Sequence, residues 1–248
     1  MLIEETLQKM LALKMPAMAR ATRELIESAA SNQLSFEDRL GFLIDREWTE
    51  RDGRRVARRI REAKISTSAS LEAIDCDAAR GLDKSFIKLM TTCSWVSSHH
   101  NVLVTGATGT GKSFLGAALA EVACRHGFRA LFVRVPRLVE DLALARASGS
   151  YSSTLGKLSR VDVLVLDDFL PAPMKDSERR DVLEVLEDRY ERSSTVITSQ
   201  LPSKTWHSAL NDPTIADAIC DRLVHNAHLV ELRGPSMRKK KSLDPVKH

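Results

Sequence analysis

The chain has little aromatic character and no dominant charge. Aromatic residues make up 5% of its 248 residues, and 37 Lys and Arg face 33 Asp and Glu, for a net charge of +4. An excess that small identifies no partner, so the placement of charge matters more than its sum. No stretch approaches the ~20 apolar residues of a membrane-spanning helix. Glu4, Glu5, Lys9 and Lys14 break up the first apolar residues, which excludes the unbroken apolar core of a signal peptide. The four cysteines, Cys76, Cys93, Cys124 and Cys220, include no C-x-x-C pair, so neither a disulfide scaffold nor a zinc ribbon is expected. Cys220, His225 and His228 have a loose C-x4-H-x2-H spacing, but the helical apolar pattern of that segment accounts for them without a metal. A reducing, cytoplasmic compartment is the simplest reading. Internal repeats and long low-complexity segments are also missing. What remains, 43% apolar and 28% charged, is an ordinary globular composition, which excludes a disordered or collagen-like chain.

The pattern changes along the chain. Residues 1–65 read as a small helical region, with Leu7, Met10, Leu11 and Met15 at helical spacing and Pro16 as an interruption. A second helix is expected from Ser35 as N-cap, with Leu40, Leu43, Ile44 and Trp48 on one face. Residues 66–95 read as a polar connector with short helices. From residue 101, apolar strands (101–105, 129–135, 161–168, 195–200, 228–234) alternate with helices (112–126, 136–147, 177–192, 214–226). Ser177 is the expected N-cap of the third of these helices. This alternation predicts an α/β core, residues 96–248, with a mostly parallel sheet flanked by helices.

Residues 106–113, Gly106, Ala107, Thr108, Gly109, Thr110, Gly111, Lys112 and Ser113, match G-x-x-x-x-G-K-[ST] between a strand and a helix. Glycines let such a loop curl until several N–H groups face one point, and the helix start adds partial positive charge. Lys112 would reach the β- and γ-phosphates of ATP, and the Ser113 hydroxyl would hold Mg²⁺. A dinucleotide-type glycine loop would leave the Lys–Ser pair without a role. Asp167 and Asp168 end the apolar run VDVLVLDD, where Asp167 would bind Mg²⁺ and Asp168 would orient or deprotonate the attacking water. Thr198, Ser199 and Gln200 end another strand, where one of them would contact the γ-phosphate or the water. Arg222 is either an arginine finger for a neighbouring subunit or the partner of Asp221 in a surface helix pair. Arg238 either reaches a phosphate or belongs to a basic tail.

Residues 46–64 hold eight bases against four acids. Arg51, Arg54, Arg55, Arg58 and Arg59 recur at helical spacing and share one face. Such a face suits phosphate-backbone contacts with double-stranded DNA, largely independent of sequence. Internal Glu–Arg pairs on a solvated helix are the plainer alternative. No aromatic residues interleave with the bases, so stacking on single strands is not favoured.

The chain closely resembles the IstB family, ATP-binding helpers of bacterial insertion-sequence transposition related to DnaC-type helicase loaders in the AAA+ class. The resemblance rests on KMPAMARA (14–21), LSFEDRLGFLIDREW (34–48), NVLVTGATGTGKS (101–113), VDVLVLDDF (161–169), LEVLEDRYERSSTVITSQLP (183–202), DPTIADAICDRLVHNAHLVELRG (212–234) and GPSMRKKK (234–241). It implies a P-loop AAA+ core, a helical N-terminal region that engages DNA or a partner, slow DNA-stimulated ATP hydrolysis, ATP-dependent self-assembly on DNA, and a transposase as partner. A replicative helicase loader is the alternative. A small-molecule kinase and a DNA-binding scaffold without turnover are more distant rivals. The family roles fall on Gly106–Ser113 as Walker A, Asp167 and Asp168 as Walker B, Ser199 near the first sensor, Arg222 as finger and Arg238 near the second sensor. Two departures stand out: Asp168, where many AAA+ relatives carry Glu, and Leu170-Pro171, where a glycine is expected.

Overall fold

The computed structural model describes residues 3–28, 33–65, 69–74, 76 and 78–237. The chain divides into two compact units, Met1–Arg58 and Arg59–His248.

The first unit is helical: α1 (Ile3–Ala12), α2 (Pro16–Glu27) and most of α3 (Phe36–Glu62). Pro16 opens α2, where its fixed φ fits and its missing N–H costs nothing. Ser35 caps α3 as expected, its Oγ accepting from the Asp38 N–H at 3.1 Å. The expected apolar face of α3 behaves differently. Leu40, Ile44 and Trp48 are exposed, Trp48 by 67%, and the buried side chain of the helix is Glu47. Hydrogen bonding gives the reason. Glu47 Oε2 accepts the N–H groups of Ala17 at 2.9 Å and Met18 at 3.0 Å. Those amides open α2 and have no partner within their own helix. Glu47 Oε1 accepts from Arg51 Nε at 2.7 Å. Helix α3 thus turns a carboxylate, rather than an apolar stripe, toward the start of α2.

In the second unit, short helices α4 (Lys84–Thr91) and α5 (Ser94–Ser97) precede an alternating run. This comprises β1 (Asn101–Gly106), α6 (Lys112–Arg125), β2 (Ala130–Arg134), α7 (Val135–Ala147), α8 (Tyr151–Ser159), β3 (Val163–Phe169), α9 (Asp176–Arg189), β4 (Ser194–Ser199), α10 (Trp206–Leu210), α11 (Pro213–Val224) and β5 (Ala227–Leu232). The five strands form one sheet in the order β2-β3-β4-β1-β5, and every pairing is parallel. Successive strand residues point to opposite faces. Val102, Val104, Val163, Val165 and Val196 pack with Leu115, Ala118 and Leu119 of α6. Leu103, Leu164, Leu166 and Ile197 pack with Leu138 and Leu142 of α7, Val182 and Leu186 of α9 and Ile219 of α11. Both faces are covered, which is why the strands read as continuous apolar runs.

Several local features differ from the sequence expectation, among them the short α10, which was not anticipated. Helix α8 was not anticipated, because YSSTLGKLS buries only Leu155 and Leu158. Helix α9 starts at Asp176, before the expected cap Ser177; the Lys175 N–H at its start is held by the Glu178 carboxylate at 2.9 Å. Strand β3 runs through Phe169 and carries an irregularity between Leu166 and Phe169. Because all strands are parallel, Gly106, Asp167, Asp168 and Ser199 arrive at one edge of the sheet.

Glu47 makes the first unit acid-sensitive. Burial works against its ionised form, but the Met18 amide, the Arg51 guanidinium and the Ala17 amide outweigh it, and its pKa lies below the ordinary 4.5. The stabilisation is therefore complete above the unfolded value and fades as pH falls through the folded one. Glu47→Gln is expected to destabilise this unit by about 1–2 kcal/mol at neutral pH. Protection of the Ala17 and Met18 amides against exchange, taken relative to the intrinsic rate at each pH, checks this: it should fall in the variant, and in the wild type below pH ~4.5.

Candidate nucleotide site

Strand β1 leads directly into the glycine loop. Gly109 has φ +85° and lies against Ser236, whose Oγ would be 2.2 Å from an added Cβ. Gly111, at φ +103°, opens α6 from the left-handed region, which glycine adopts without steric cost. The Ala107 carbonyl is the internal hub of the loop. It accepts from Thr110 Oγ1 at 2.9 Å and from Lys112 Nζ at 2.9 Å. Lys112 is buried, while Ala107, Thr108 and Ser113 are exposed and Gly106 and Gly109 half-buried.

Two strands away, β3 delivers the acids. Asp167 is buried, and its Oδ1 accepts from Thr198 Oγ1 at 2.6 Å. Asp168 sits within the β3 irregularity at φ +60°, and Leu170 follows at φ +53°. Asp tolerates this region; a leucine there is strained, and a glycine would not be. The bulge re-aims Asp168 toward β2, where its Oδ2 accepts from Arg134 Nη2 at 2.6 Å. The Asp168 carboxylate in turn raises the pKa of Arg134. Sequence reasoning missed Arg134; its place as the last residue of a parallel strand was the available signal.

The polar end of β4 splits into three environments. Thr198 joins the two acids, because its Oγ1 also accepts the Asp168 N–H at 3.1 Å. Ser199 is fully buried, and its hydroxyl serves the main chain. It donates to Phe169 O at 2.7 Å and accepts from Leu201 N–H at 3.1 Å. Gln200 is exposed and accepts from Thr108 Oγ1 of the glycine loop at 2.8 Å. Thr198 and Gln200, rather than Ser199, are the residues of this strand end that touch the loop and the acids.

Arg222 lies near the end of α11, at the opposite edge of the sheet. Its main-chain carbonyl accepts from Asn101 Nδ2, at the first residue of β1. Its guanidinium donates to Ala218 O at 2.9 Å and Glu187 Oε1 at 2.9 Å, and lies 6.0 Å from the Tyr190 ring centroid. The ion-pair partner is thus Glu187 of α9, not the adjacent Asp221 considered from sequence. Arg238 lies outside the described residues. Within the basic stripe, Arg51 bonds Glu47 and the Lys14 carbonyl, and Arg54 pairs with Glu47 and Glu50. Arg55 and Arg58 are exposed, and Arg59 is half-buried. Among the described residues, no group of three or more His, Cys, Asp or Glu could hold a metal ion, and no helix is long and apolar enough to cross a membrane.

A five-stranded parallel sheet with a G-x-x-x-x-G-K-S loop and two acids at its carboxyl edge defines a P-loop nucleotide-binding protein of the AAA+ class. Solved structures agree on the fold. The DnaC helicase loader superposes with TM-score 0.57 at 19% identity, covering 69% of this chain and 100% of that one. AMPPCP-bound DnaA from Aquifex aeolicus gives 0.58 at 19% identity, covering 72% and 56%. The chain belongs to the family of IstB-like ATP binding proteins, whose model matches residues 8–245. It is 45% identical over 239 residues to the insertion sequence ATP-binding protein y4pL of Sinorhizobium fredii, covering 96% of this chain and 98% of that one. It is 42% identical over 214 residues to the ATP-binding protein of insertion sequence IS1162 of Pseudomonas fluorescens, covering 86% and 93%.

The division of labour in β4 is open to measurement. Ser199→Ala is expected to cost about 1–2 kcal/mol of stability, through the lost bond to Phe169 O, while ATP affinity stays within about twofold. Thermal melting alongside nucleotide titration separates the two; lost affinity at unchanged stability would return Ser199 to the nucleotide.

Proposed function

We propose that the protein is an ATP-dependent DNA-binding assembly factor that assists a transposase, hydrolysing ATP to ADP and phosphate. One observation carries this reading. The glycine loop and the paired acids share one edge of the sheet, while Arg222 stands at the other edge, out of reach of its own loop. A site of this kind is completed by a neighbouring subunit, so ATP and self-assembly are linked. The names of the relatives, insertion sequence ATP-binding proteins, favour a transposase over a replicative helicase as the partner.

The roles follow from the geometry. The loop N–H groups and the start of α6 cradle the phosphates, and Lys112 leaves the Ala107 carbonyl to reach them. Ser113 and Asp167 are hard oxygen donors, and so few protein ligands fit Mg²⁺, which takes one or two carboxylates together with substrate phosphates. Such an ion neutralises charge developing on the phosphates. Thr198 holds Asp167 in place, and Gln200 lies beside the loop to contact the γ-phosphate or water. Asp168 accepts the water proton while Arg134 holds one of its oxygens and lowers its basicity, and it is one methylene shorter than Glu, so turnover is slow. The helical residues 1–65 engage duplex DNA through the basic face of α3, Arg51, Arg54, Arg55, Arg58 and Arg59, on which Arg51 and Arg54 also pair with Glu47 and Glu50. Residues 66–95 form the connector and 96–248 the ATPase core and basic tail, where Arg238 contributes to nucleotide binding. An ATP substrate and free, buried Cys93 and Cys124 suit the cytoplasm.

The test is strand transfer by the purified transposase of the same element. Wild-type protein with ATP is expected to stimulate it, and Lys112→Ala is not, because the mutant leaves the phosphate charge uncompensated. Deposition of a helicase ring without any effect on strand transfer would favour the loader reading.

Arg222 supplies a second test. Arg222→Ala keeps an intact loop, and Lys112→Ala keeps an intact finger, so mixed assemblies are expected to regain ATPase activity that neither has alone. If mixed assemblies form and stay inactive, Arg222 is only the structural partner of Glu187.

A further inference from the structure

Three consecutive residues of the glycine loop are held from outside by three separate segments. Thr108 Oγ1 donates to Gln200 Oε1 at 2.8 Å. The Gly109 carbonyl accepts the Met237 N–H at 2.8 Å. The Thr110 carbonyl accepts from Arg80 Nη2 at 3.0 Å. The last of these contacts has a geometric consequence. In a trans peptide the C=O and the following N–H point in opposite directions. A guanidinium that fixes the Thr110 carbonyl on the outside of the loop therefore fixes the Gly111 N–H toward its inside.

Arg80 is itself anchored. It ends a short 3-10 turn, Ala78–Arg80, in the segment before β1. Its carbonyl accepts the Arg233 N–H, just past β5, at 2.9 Å. The next residue, Gly81, lies so close to β5 that an added Cβ would be 2.0 Å from the Glu231 carbonyl oxygen. The main chain is thus pinned to the edge strand, and the side chain reaches from there to the loop. We propose that Arg80 is a positioning residue for the nucleotide: through the Thr110 carbonyl it sets the peptide plane that presents the Gly111 N–H to the phosphates. The role rests on the ATP-binding reading of the loop. It gives the segment that leads from the helical region a direct part in the phosphate site, one that no motif in the sequence marks.

The experiment is ATP and ADP titration of the full chain carrying Arg80→Met, with Arg80→Lys, Arg80→Gln and Lys112→Ala alongside. Arg80→Met is expected to weaken both nucleotides about tenfold, the scale of a lost charge-assisted bond. Arg80→Lys, which keeps a charged donor, should recover most of this. The readout that mere packing would not move is the Gly111 amide resonance. Its displacement on adding ADP should shrink in the Met variant and return with Lys. If Arg80→Met fails to fold, Arg80→Gln takes its place, with a loss of about fivefold expected. Wild-type affinity and an unchanged Gly111 signal in the folded variant overturn the proposal while Lys112→Ala still abolishes binding. If Lys112→Ala binds normally, the loop reading itself fails, and the role of Arg80 with it.

Discussion

Thr198 is the joint on which the carboxyl edge depends. One hydroxyl donates to Asp167 and accepts from the Asp168 N–H, at the end of the strand that lies between the acids of β3 and the loop of β1. It is buried, so neither bond is traded with water. Its methyl group shapes the other side of the site: a Cβ added to Gly116 of α6 would lie 3.1 Å from Thr198 Cγ2. It would lie equally close to Val165 Cγ1, so a side chain at residue 116 would press on β3 and β4 together, and glycine lets the helix that carries Lys112 sit against the sheet without that pressure. One residue thus ties the two acids together and, with the glycine opposite it, takes part in seating α6.

The fold was legible because its strands are buried on both faces. Where helices alternate with short, continuous apolar runs such as Val163–Leu166, those runs are the strands of a sheet covered on both sides. The glycine loop was legible because its chemistry is local: the residues that bind are consecutive. What stayed hidden depends on contacts distant in sequence. Arg134 meets Asp168 across 34 positions and Arg222 meets Glu187 across 35. No periodicity encodes either pair. The exposed stripe of α3 misled for the same reason, since Glu47 is buried by amides 29 and 30 positions away. The unexpected Leu170 has a conformational reading: at φ +53° it holds a conformation that glycine takes freely, and burial of its side chain offsets part of the strain.

The two edges of the sheet are built differently, and the difference suits their tasks. The carboxyl edge consists of a loop, a helix start and strand ends whose polar groups bond one another: Lys112 to Ala107, Thr108 to Gln200, Asp168 to Arg134. Lys112 and Thr108 can each trade a protein acceptor for a phosphate oxygen, and Asp168 can trade a guanidinium donor for a water, at small net cost because like replaces like. The opposite edge is locked. Arg189, at the end of α9, is buried and donates to Leu158 O, Val161 O, Ser194 O and Thr195 Oγ1. Burial draws its pKa down to about 9, still high enough to keep it charged at neutral pH. These bonds fasten α9 to the start of β4 and to the turn before β3. Glu187 and Tyr190, one helical turn or less from Arg189, are fixed with it, and together with the Ala218 carbonyl they surround the Arg222 guanidinium. In the trans role proposed for Arg222 such a mounting lowers the cost of binding, since the surroundings of the guanidinium are ordered before a partner arrives.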